Sequence, residues 1–302
     1  MSAELLGCVL KKLERQDFRV LIGIELGMVS HAFTPVEHIL KYSSLTLEET
    51  TFRLRKLHRF NLIKRRSKPF LGYTLNALGY DCLALNALVK GGYLEALGKP
   101  LGIGKESDVY DALAPNDERV AVKFMRVGRT SFRQTRKTRL YIAGRRHISW
   151  IYQSRLAAER EFKVLALLHK AGVRVPKPLA WNRHVLVMEV IMGTELADYY
   201  EIPNPEKVFD EIVENIHLAY TKAKIIHADL SAYNVLIKPD GHILLIDWPQ
   251  CVEKNQPESD FYLRRDVENV VRYFNRKFRI NVDIEKVLIL VKGEHVSEEK
   301  GL

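Results

Sequence analysis

Residues 225 to 250 read IIHADLSAYNVLIKPDGHILLIDWPQ. Two short β-branched runs, Val235-Leu236-Ile237 and Ile243-Leu244-Leu245-Ile246, are split by Pro239-Asp240-Gly241. Proline and glycine suit a turn and the flanks suit strands, so the segment predicts a hairpin. Asp229 and Asn234 stand just before it and Asp247 just after it. A fold that accepts this stretch must hold two carboxylates and an amide at a spacing set by the hairpin.

That set has a chemical use. In phosphoryl transfer one carboxylate positions or deprotonates the attacking oxygen. A second holds Mg²⁺ against the phosphates, and an amide oxygen completes the metal shell without adding charge. The plainer alternative makes Asp229 a turn residue and Asp247 a strand-terminal cap. Upstream residues decide against it. In LGIGKESDVYDALAPNDERVAVKF, Gly102 and Gly104 lack the Cβ that would keep a strand-turn-strand away from a phosphate. Nineteen residues after Gly104, the buried-strand pattern Val120-Ala121-Val122 ends in Lys123, whose amine can neutralise phosphate charge. Either feature alone is weak; the four in order are not.

The charge of the chain is local. It carries a net +10, from 47 Lys and Arg against 37 Asp and Glu. Residues 51 to 70 hold eight basic residues and no acid, and residues 126 to 146 again hold eight and none. Without these the chain has 31 basic residues against 37 acids, so two basic patches sit on a mildly acidic protein. Patches of this kind suit a polyanion, nucleic acid first. The second lies where a strand should turn into a helix, and its low apolar content predicts a loop. Arg133, Arg136 and Lys137 are its candidate phosphate contacts, and Thr130, Ser131, Thr135 and Thr138 are interleaved with its arginines.

The first patch has a frame. Thr34-Pro35-Val36-Glu37 and Thr46-Leu47-Glu48-Glu49 each offer an N-cap with a glutamate that can reach back, so two helices joined near Tyr42-Ser43-Ser44 are expected. In the second, Leu47, Leu54 and Leu57 are expected inward, with Arg53, Lys56 and Arg59 facing out. Lys64, Arg65 and Arg66 then open a basic hairpin that returns through Leu71-Gly72-Tyr73-Thr74-Leu75. Helix, turn, helix and basic hairpin is the winged-helix layout, which serves nucleic acids and also protein partners. A closing helix over NALGYDCLALNALV and then Gly91-Gly92 mark a boundary.

The chain resembles the atypical protein kinases of the RIO family, in their second, winged-helix-bearing subfamily. The resemblance rests on Gly102-Ile103-Gly104-Lys105-Glu106-Ser107-Asp108-Val109, Lys123, His227-Ala228-Asp229-Leu230-Ser231-Ala232-Tyr233-Asn234 and Ile246-Asp247-Trp248-Pro249-Gln250. It implies an α+β chain: a winged helix-turn-helix domain over 1–91, then a reduced two-lobed kinase domain. The N-lobe would cover 92–192 with the basic loop 126–146, and the C-lobe 193–302. By family position Asp229 is the catalytic aspartate, Asn234 and Asp247 hold the metal, and Lys123 takes phosphate. Gly102, Gly104, Lys105, Ser107 and Val109 form the nucleotide loop, with Ser107 where ordinary kinases have a third glycine. Met188, Glu189 and Ile191 match the adenine hinge. Glu161 is the choice for the helix glutamate that pairs with Lys123; Glu159, on another helix face, is the competitor. The cofactors implied are ATP and Mg²⁺, with Mn²⁺ as the alternative ion. The family also implies a phosphorylated Asp247 and work on the precursor small ribosomal subunit or its rRNA.

Two departures stand out. Ala228 occupies a position where RIO proteins usually have glycine, a small change expected to be tolerated. Trp248-Pro249 replaces Phe-Gly of ordinary kinases, and a fixed proline φ works against an inward-outward flip.

Only 55 residues follow Asp247, without an A-P-E-like segment. One amphipathic helix from Asp260, burying Phe261, Val267, Val270, Val271 and Phe274, is expected there, with Asp266 bracing the catalytic loop. Such a remainder builds no docking lobe for extended peptides. No run approaches the roughly 18 to 20 apolar residues of a membrane span. Cys8, Cys82 and Cys251 offer neither a disulfide framework nor paired metal-ligand spacing, and no secretory leader is recognisable, so a cytoplasmic protein is expected. Two other classes compete: a small-molecule kinase of the aminoglycoside type, which has no use for a winged helix, and a DNA-binding regulator with an ATP-sensing kinase domain, which need not keep all four catalytic-type residues.

Overall fold

The computed structural model describes residues 3–127 and 150–293. Arg133, Arg136, Lys137 and the four loop hydroxyls lie outside the described residues. The chain divides into two compact units, 1–159 with 179–188, and 160–178 with 189–302.

The first unit opens with helices α1 (Ala3–Leu10) and α2 (Arg15–Gly27), which the sequence patterns had not announced. Strand β1 (Thr34–Pro35), helices α3 (Val36–Ser43) and α4 (Leu47–Arg59), strands β2 (Ile63–Arg66) and β3 (Gly72–Leu75), and helix α5 (Ala77–Lys90) follow. The three strands form one sheet in the order β1-β3-β2, with Arg65 opposite Tyr73 and Thr34 opposite Tyr73 on the other edge. This is the winged helix expected from the sequence.

Thr46 caps α4 as anticipated, its hydroxyl accepting from the Glu49 amide at 3.2 Å. Thr34 does not cap α3. Pro35 holds that position without a side-chain bond, and the Thr34 hydroxyl instead donates to the Ile24 carbonyl of α2 at 3.0 Å. Gly27 permits this approach, since a Cβ there would lie 2.0 Å from the Thr34 methyl. The face of α4 also differs from expectation. Leu54 and Leu57 are buried, but Leu47 is 62% exposed, and Arg53 turns inward at 8%. Arg53 bonds Glu49 at 2.7 Å and Glu14 at 2.9 Å, and Lys56 reaches the fully buried Asp17 at 2.7 Å. Acids from α2 and its cap, invisible to a helical-period argument on α4, pull both cations off the outer face. Phe52, Arg55 and Arg59 occupy it instead.

A five-stranded sheet in the order β4-β5-β6-β8-β7 completes the first unit. Its strands are β4 (Ala96–Ile103), β5 (Ser107–Leu113), β6 (Arg119–Met125), β7 (Pro178–Asn182) and β8 (Val185–Glu189), with helix α6 (Trp150–Lys170) between β6 and β7. Winged helix and sheet share one apolar core, running from Leu6, Leu21 and Leu85 to Tyr110, Val122 and Val187.

The second unit carries β9 (Thr194–Glu195), α7 (Pro205–Leu218), β10 (Ile225–Ile226), β11 (Val235–Ile237), β12 (Ile243–Leu245), β13 (Val252–Glu253), α8 (Ser259–Phe278) and α9 (Ile284–Lys292). The hairpin forms as expected, with Val235 opposite Leu245 and Ile237 opposite Ile243. In α8 the buried set is Leu263, Val267, Val270, Val271 and Phe274; Phe261, expected inside, is 64% exposed in the first turn. A second helix, α9, follows and buries Val287, Leu288 and Val291. Among the described residues, two helices rather than one therefore come after Asp247.

Candidate active site

In the first unit, Gly102 of β4, Val109 of β5 and Lys123 of β6 stand opposite one another across three strands. Directly opposed residues project from the same face of a sheet. Beside the lysine that face presents a valine and a glycine, and a Cβ on Gly102 would find nothing within 4 Å. The turn is closed by the Gly104 amide donating to the Ser107 carbonyl at 2.8 Å. Lys105 is exposed at its tip and Ser107 is half-buried. Lys123 is only 5% exposed. Met188 ends the buried part of β8 at 7% exposure, Glu189 is exposed, and Ile191 is half-buried just beyond.

Helix α6 presents one buried stripe of Ile151, Ser154, Ala158, Glu161, Leu165 and Leu168, at alternating spacings of three and four. Glu161 belongs to it at 3% exposure, while Glu159 is half-buried on another face. Of the two candidates for the lysine's partner, Glu161 is the more buried.

In the second unit the catalytic-type residues are tied by backbone. The Asn234 side-chain amide donates to the Asp229 carbonyl at 2.8 Å. Its backbone carbonyl accepts from the Ile246 amide at 2.9 Å. Nε2 of His227 donates to the Ile246 carbonyl at 3.0 Å. Asn234 thus joins the loop holding Asp229 to the strand end that delivers Asp247, which itself sits in left-handed backbone at φ 65°. Because the Asn234 NH₂ group is taken up by a carbonyl, its amide oxygen is left for another partner. Asp229 and Asp247 are both exposed. A neutral oxygen and a carboxylate are the hard donors that suit Mg²⁺.

Below this layer the loop is braced from α8. Asp266, 1% exposed, accepts from the Ala228 amide at 2.6 Å and the Leu230 amide at 3.0 Å, as its position had suggested. Burial raises its pKa despite these two donors. Arg265 donates to the Ala228 carbonyl and Asn269 to that of Leu230 at 3.1 Å. These two flank Asp266 on one helix, and helical spacing from it could have found Asn269. Ala228 holds φ 63°, a left-handed position where glycine would be unstrained. Trp248 is buried, donates to the Leu245 carbonyl at 3.2 Å and packs on the His227 ring, so it is anchored rather than poised to turn out. Burial keeps the His227 pKa low, against the Ile246 carbonyl and the nearby Asp266, Asp247 and Asp229 charges.

On the winged helix the nucleic-acid candidates separate. Arg59, Lys64 and Arg65 are exposed, as is Arg55, which sequence reasoning passed over. Arg53 and Lys56 are spent on acids, and the Arg66 guanidinium lies 4.6 Å from the Phe33 ring centre and 4.7 Å from that of Phe70.

Known proteins resemble the chain over most of its length. Residues 108–287 match the RIO domain and residues 10–91 the Rio2 N-terminal domain. The RIO-type serine/threonine-protein kinase Rio2 of Methanocaldococcus jannaschii is 40% identical over 86% of this chain and 96% of its own length. The rio2 kinase of Schizosaccharomyces pombe is 33% identical over 91% of this chain and 80% of its own. Against the Dictyostelium discoideum rio2 kinase, identity is 35% over 89% of this chain, but the chain spans only 51% of that relative. Among solved structures, the Rio2 kinase–ADP/Mg²⁺–phosphoaspartate complex of Chaetomium thermophilum superimposes with a TM-score of 0.79 at 28% identity, covering 93% of this chain and 87% of that one. Among the described residues no helix is long and apolar enough to cross a membrane. With a Rio2-type winged helix, a glycine turn set against a buried lysine and an Asp–Asn–hairpin–Asp loop braced from below, the chain belongs to the RIO family of serine/threonine-protein kinases.

Proposed function

We propose that this chain binds ATP with Mg²⁺ and moves the γ-phosphate first to its own Asp247 and then to water, as a cytoplasmic factor in maturation of the small ribosomal subunit. The observation that carries the reading is Asn234, one residue bonded both to the loop of Asp229 and to the strand end before Asp247. Gly102, Gly104, Lys105, Ser107 and Val109 give the phosphates an approach free of bulky side chains. Lys123, supported by Glu161, neutralises phosphate charge, and Met188, Glu189 and Ile191 receive the adenine edge. Asn234 and Asp247 would hold the ion, which would supply charge neutralisation at the phosphates. An Asp247 carboxylate oxygen attacks the γ-phosphorus, the bond to the bridging oxygen breaks, and ADP leaves. Asp229 then takes a proton from the water that attacks the aspartyl phosphate, giving inorganic phosphate and free Asp247. A phosphoaspartate is present in the Chaetomium complex.

The subunit assignment rests on the exposed basic face of Arg59, Lys64 and Arg65, joined by Arg55, and on Arg133, Arg136 and Lys137 of the second patch. Following labelled γ-phosphate with Mg²⁺, with and without immature small ribosomal subunits, tests both parts. Expected is phosphate released to water at a rate the subunits change, through an enzyme-bound phosphate that hydroxylamine removes. Asp247→Ala should lower turnover by more than about a hundredfold. A hydroxylamine-resistant phosphoserine, formed at the same rate with and without subunits, would overturn the scheme.

A further inference from the structure

Four ionisable side chains of the first unit meet where neither the nucleotide turn nor the winged helix requires them. Asp81 comes from α5, Asp108 is the second residue of β5, Arg126 lies just past β6, and His184 is in the β7–β8 turn. None is more than 7% exposed. The Arg126 guanidinium grips both oxygens of Asp81, at 2.7 and 3.0 Å, and its Nε donates to Asp108 at 3.1 Å. Nε2 of His184 donates to Asp81 at 2.6 Å, and its ring stacks on Tyr80 of α5. Although Arg126 opens the second basic patch in the sequence, it is not part of any free basic surface.

The backbone around Arg126 is equally well tied. Three consecutive amides reach three different parts of the unit. Met125 donates to the His184 carbonyl at 2.8 Å, Arg126 to the Glu106 carbonyl at 2.6 Å, and Val127 to the buried Ser154 hydroxyl of α6 at 3.1 Å. Glu106 lies inside the glycine turn, and Asp108 stands opposite Ile103, between Gly102 and Gly104. Lys123 is three residues upstream on the same strand. Arg126 therefore holds the glycine turn twice, by amide and by guanidinium, while the other side of its guanidinium fork is held by the winged helix.

We infer that Arg126 is a positioning residue that makes the geometry of the glycine turn depend on α5 of the winged helix, so that whatever the winged helix binds changes the affinity for nucleotide. This rests on the reading of 102–107 as the phosphate turn. A planar guanidinium with two carboxylates suits the role: displacing Asp81 frees one side of the fork and lets the guanidinium leave the plane in which its Nε reaches Asp108. Energetic coupling between two sites requires such a shared element, and it acts in both directions.

The test uses the full-length chain with ATP and Mg²⁺. Asp81→Asn keeps the shape of the side chain and every proposed nucleotide contact; it should raise KM for ATP about tenfold while kcat stays within about twofold. Arg126→Lys, which loses the fork altogether, should raise KM further and accelerate amide exchange over 102–107. Lower thermal stability with KM and exchange unchanged would reduce the network to a structural one and overturn the inference. Should both variants fail to fold, exchange in the unmodified protein decides. Coupling requires ATP to slow exchange over 102–107 and over 79–83 together. Slowing confined to 102–107 overturns the coupling alone, and slowing of neither overturns the phosphate-turn reading as well.

Discussion

At the scale of single residues, burial has decided which ionisable groups carry charge. His184 is surrounded by Asp81, Arg126, Tyr80, Phe124 and the nearby Arg183, yet its pKa falls below the usual 6.5, chiefly because it is buried. It therefore donates to Asp81 as a neutral ring. Asp81, though burial opposes its charge, is held below its usual value by the bonds from His184 and Arg126. The consequence for stability follows from the direction of the histidine shift. The folded chain disfavours a proton that the unfolded chain accepts near pH 6.5, so this contribution is complete above 6.5 and is lost as pH falls through the folded value. Unfolding free energies from urea titrations between about pH 7.5 and about pH 5 should decline, by up to about 1.4 kcal/mol per pH unit from this one site. His184→Gln, which retains a donor toward Asp81 but cannot titrate, should flatten that part of the profile. An unchanged slope in the variant would assign the decline elsewhere. Nothing in the sequence around RHVLVME marked His184 as titratable within a core, since its partners lie 58 and 103 residues away.

At the scale of elements, the patterns that were legible are those decided locally. The Thr46 cap, the hairpin around Pro239-Asp240-Gly241 and the buried stripe of α8 from Val267 to Phe274 depend on residues within a few positions of one another, and they form as read. Misreadings occur where a distant group competes. Thr34 is claimed by the Ile24 carbonyl, and Arg53 and Lys56 by Asp17, which sits 36 and 39 residues earlier. Phe261 and Leu47 lie in the first turns of their helices and are exposed although the helical period places them inside. The same competition separates two arginines of α4 experimentally. Arg53→Ala leaves the fully buried Asp17 with only part of its compensation and should cost about 3 kcal/mol of stability. Arg59→Ala removes an exposed side chain, should cost less than about 0.5 kcal/mol, and should weaken binding of a short RNA while lowering the salt slope by about 1. Thermal melts paired with a salt titration of RNA binding would show this division. Equal effects of the two variants on stability would mean that α4 is oriented as its sequence alone suggested.

At the scale of the whole molecule, the sequence marks where the winged helix ends but not how far its core extends. Gly91 caps α5 and Gly92 takes φ 75°, so the helix stops where the glycines said it would. Yet the apolar core continues without a break from Leu6 to Val187, and two arginines of the sheet region close on acids of the winged helix. Arg126 takes Asp81, and Arg183 takes Glu25 of α2 at 2.6 and 2.8 Å. Both links couple residues at least 45 apart, beyond the reach of any periodicity. A shared core with one buried and one half-buried bidentate pair predicts that winged helix and sheet unfold as one cooperative body. The chain carries its own reporters. Cys8 on α1 is exposed while Cys82 and Cys251 are buried, so a thiol-reactive fluorophore labels the winged helix selectively, and Trp181 on β7, 39% exposed, reports on the sheet once Trp150 and Trp248 are replaced by Phe. Urea transitions from the two probes should coincide, and Glu25→Gln should shift both together toward lower urea by about 1 to 3 kcal/mol. A winged-helix probe that melts first would make that domain an independent module tethered to the kinase. In that case occupancy of the winged helix would have no rigid path to the glycine turn, whereas coincident transitions supply the continuous packing that such a path requires.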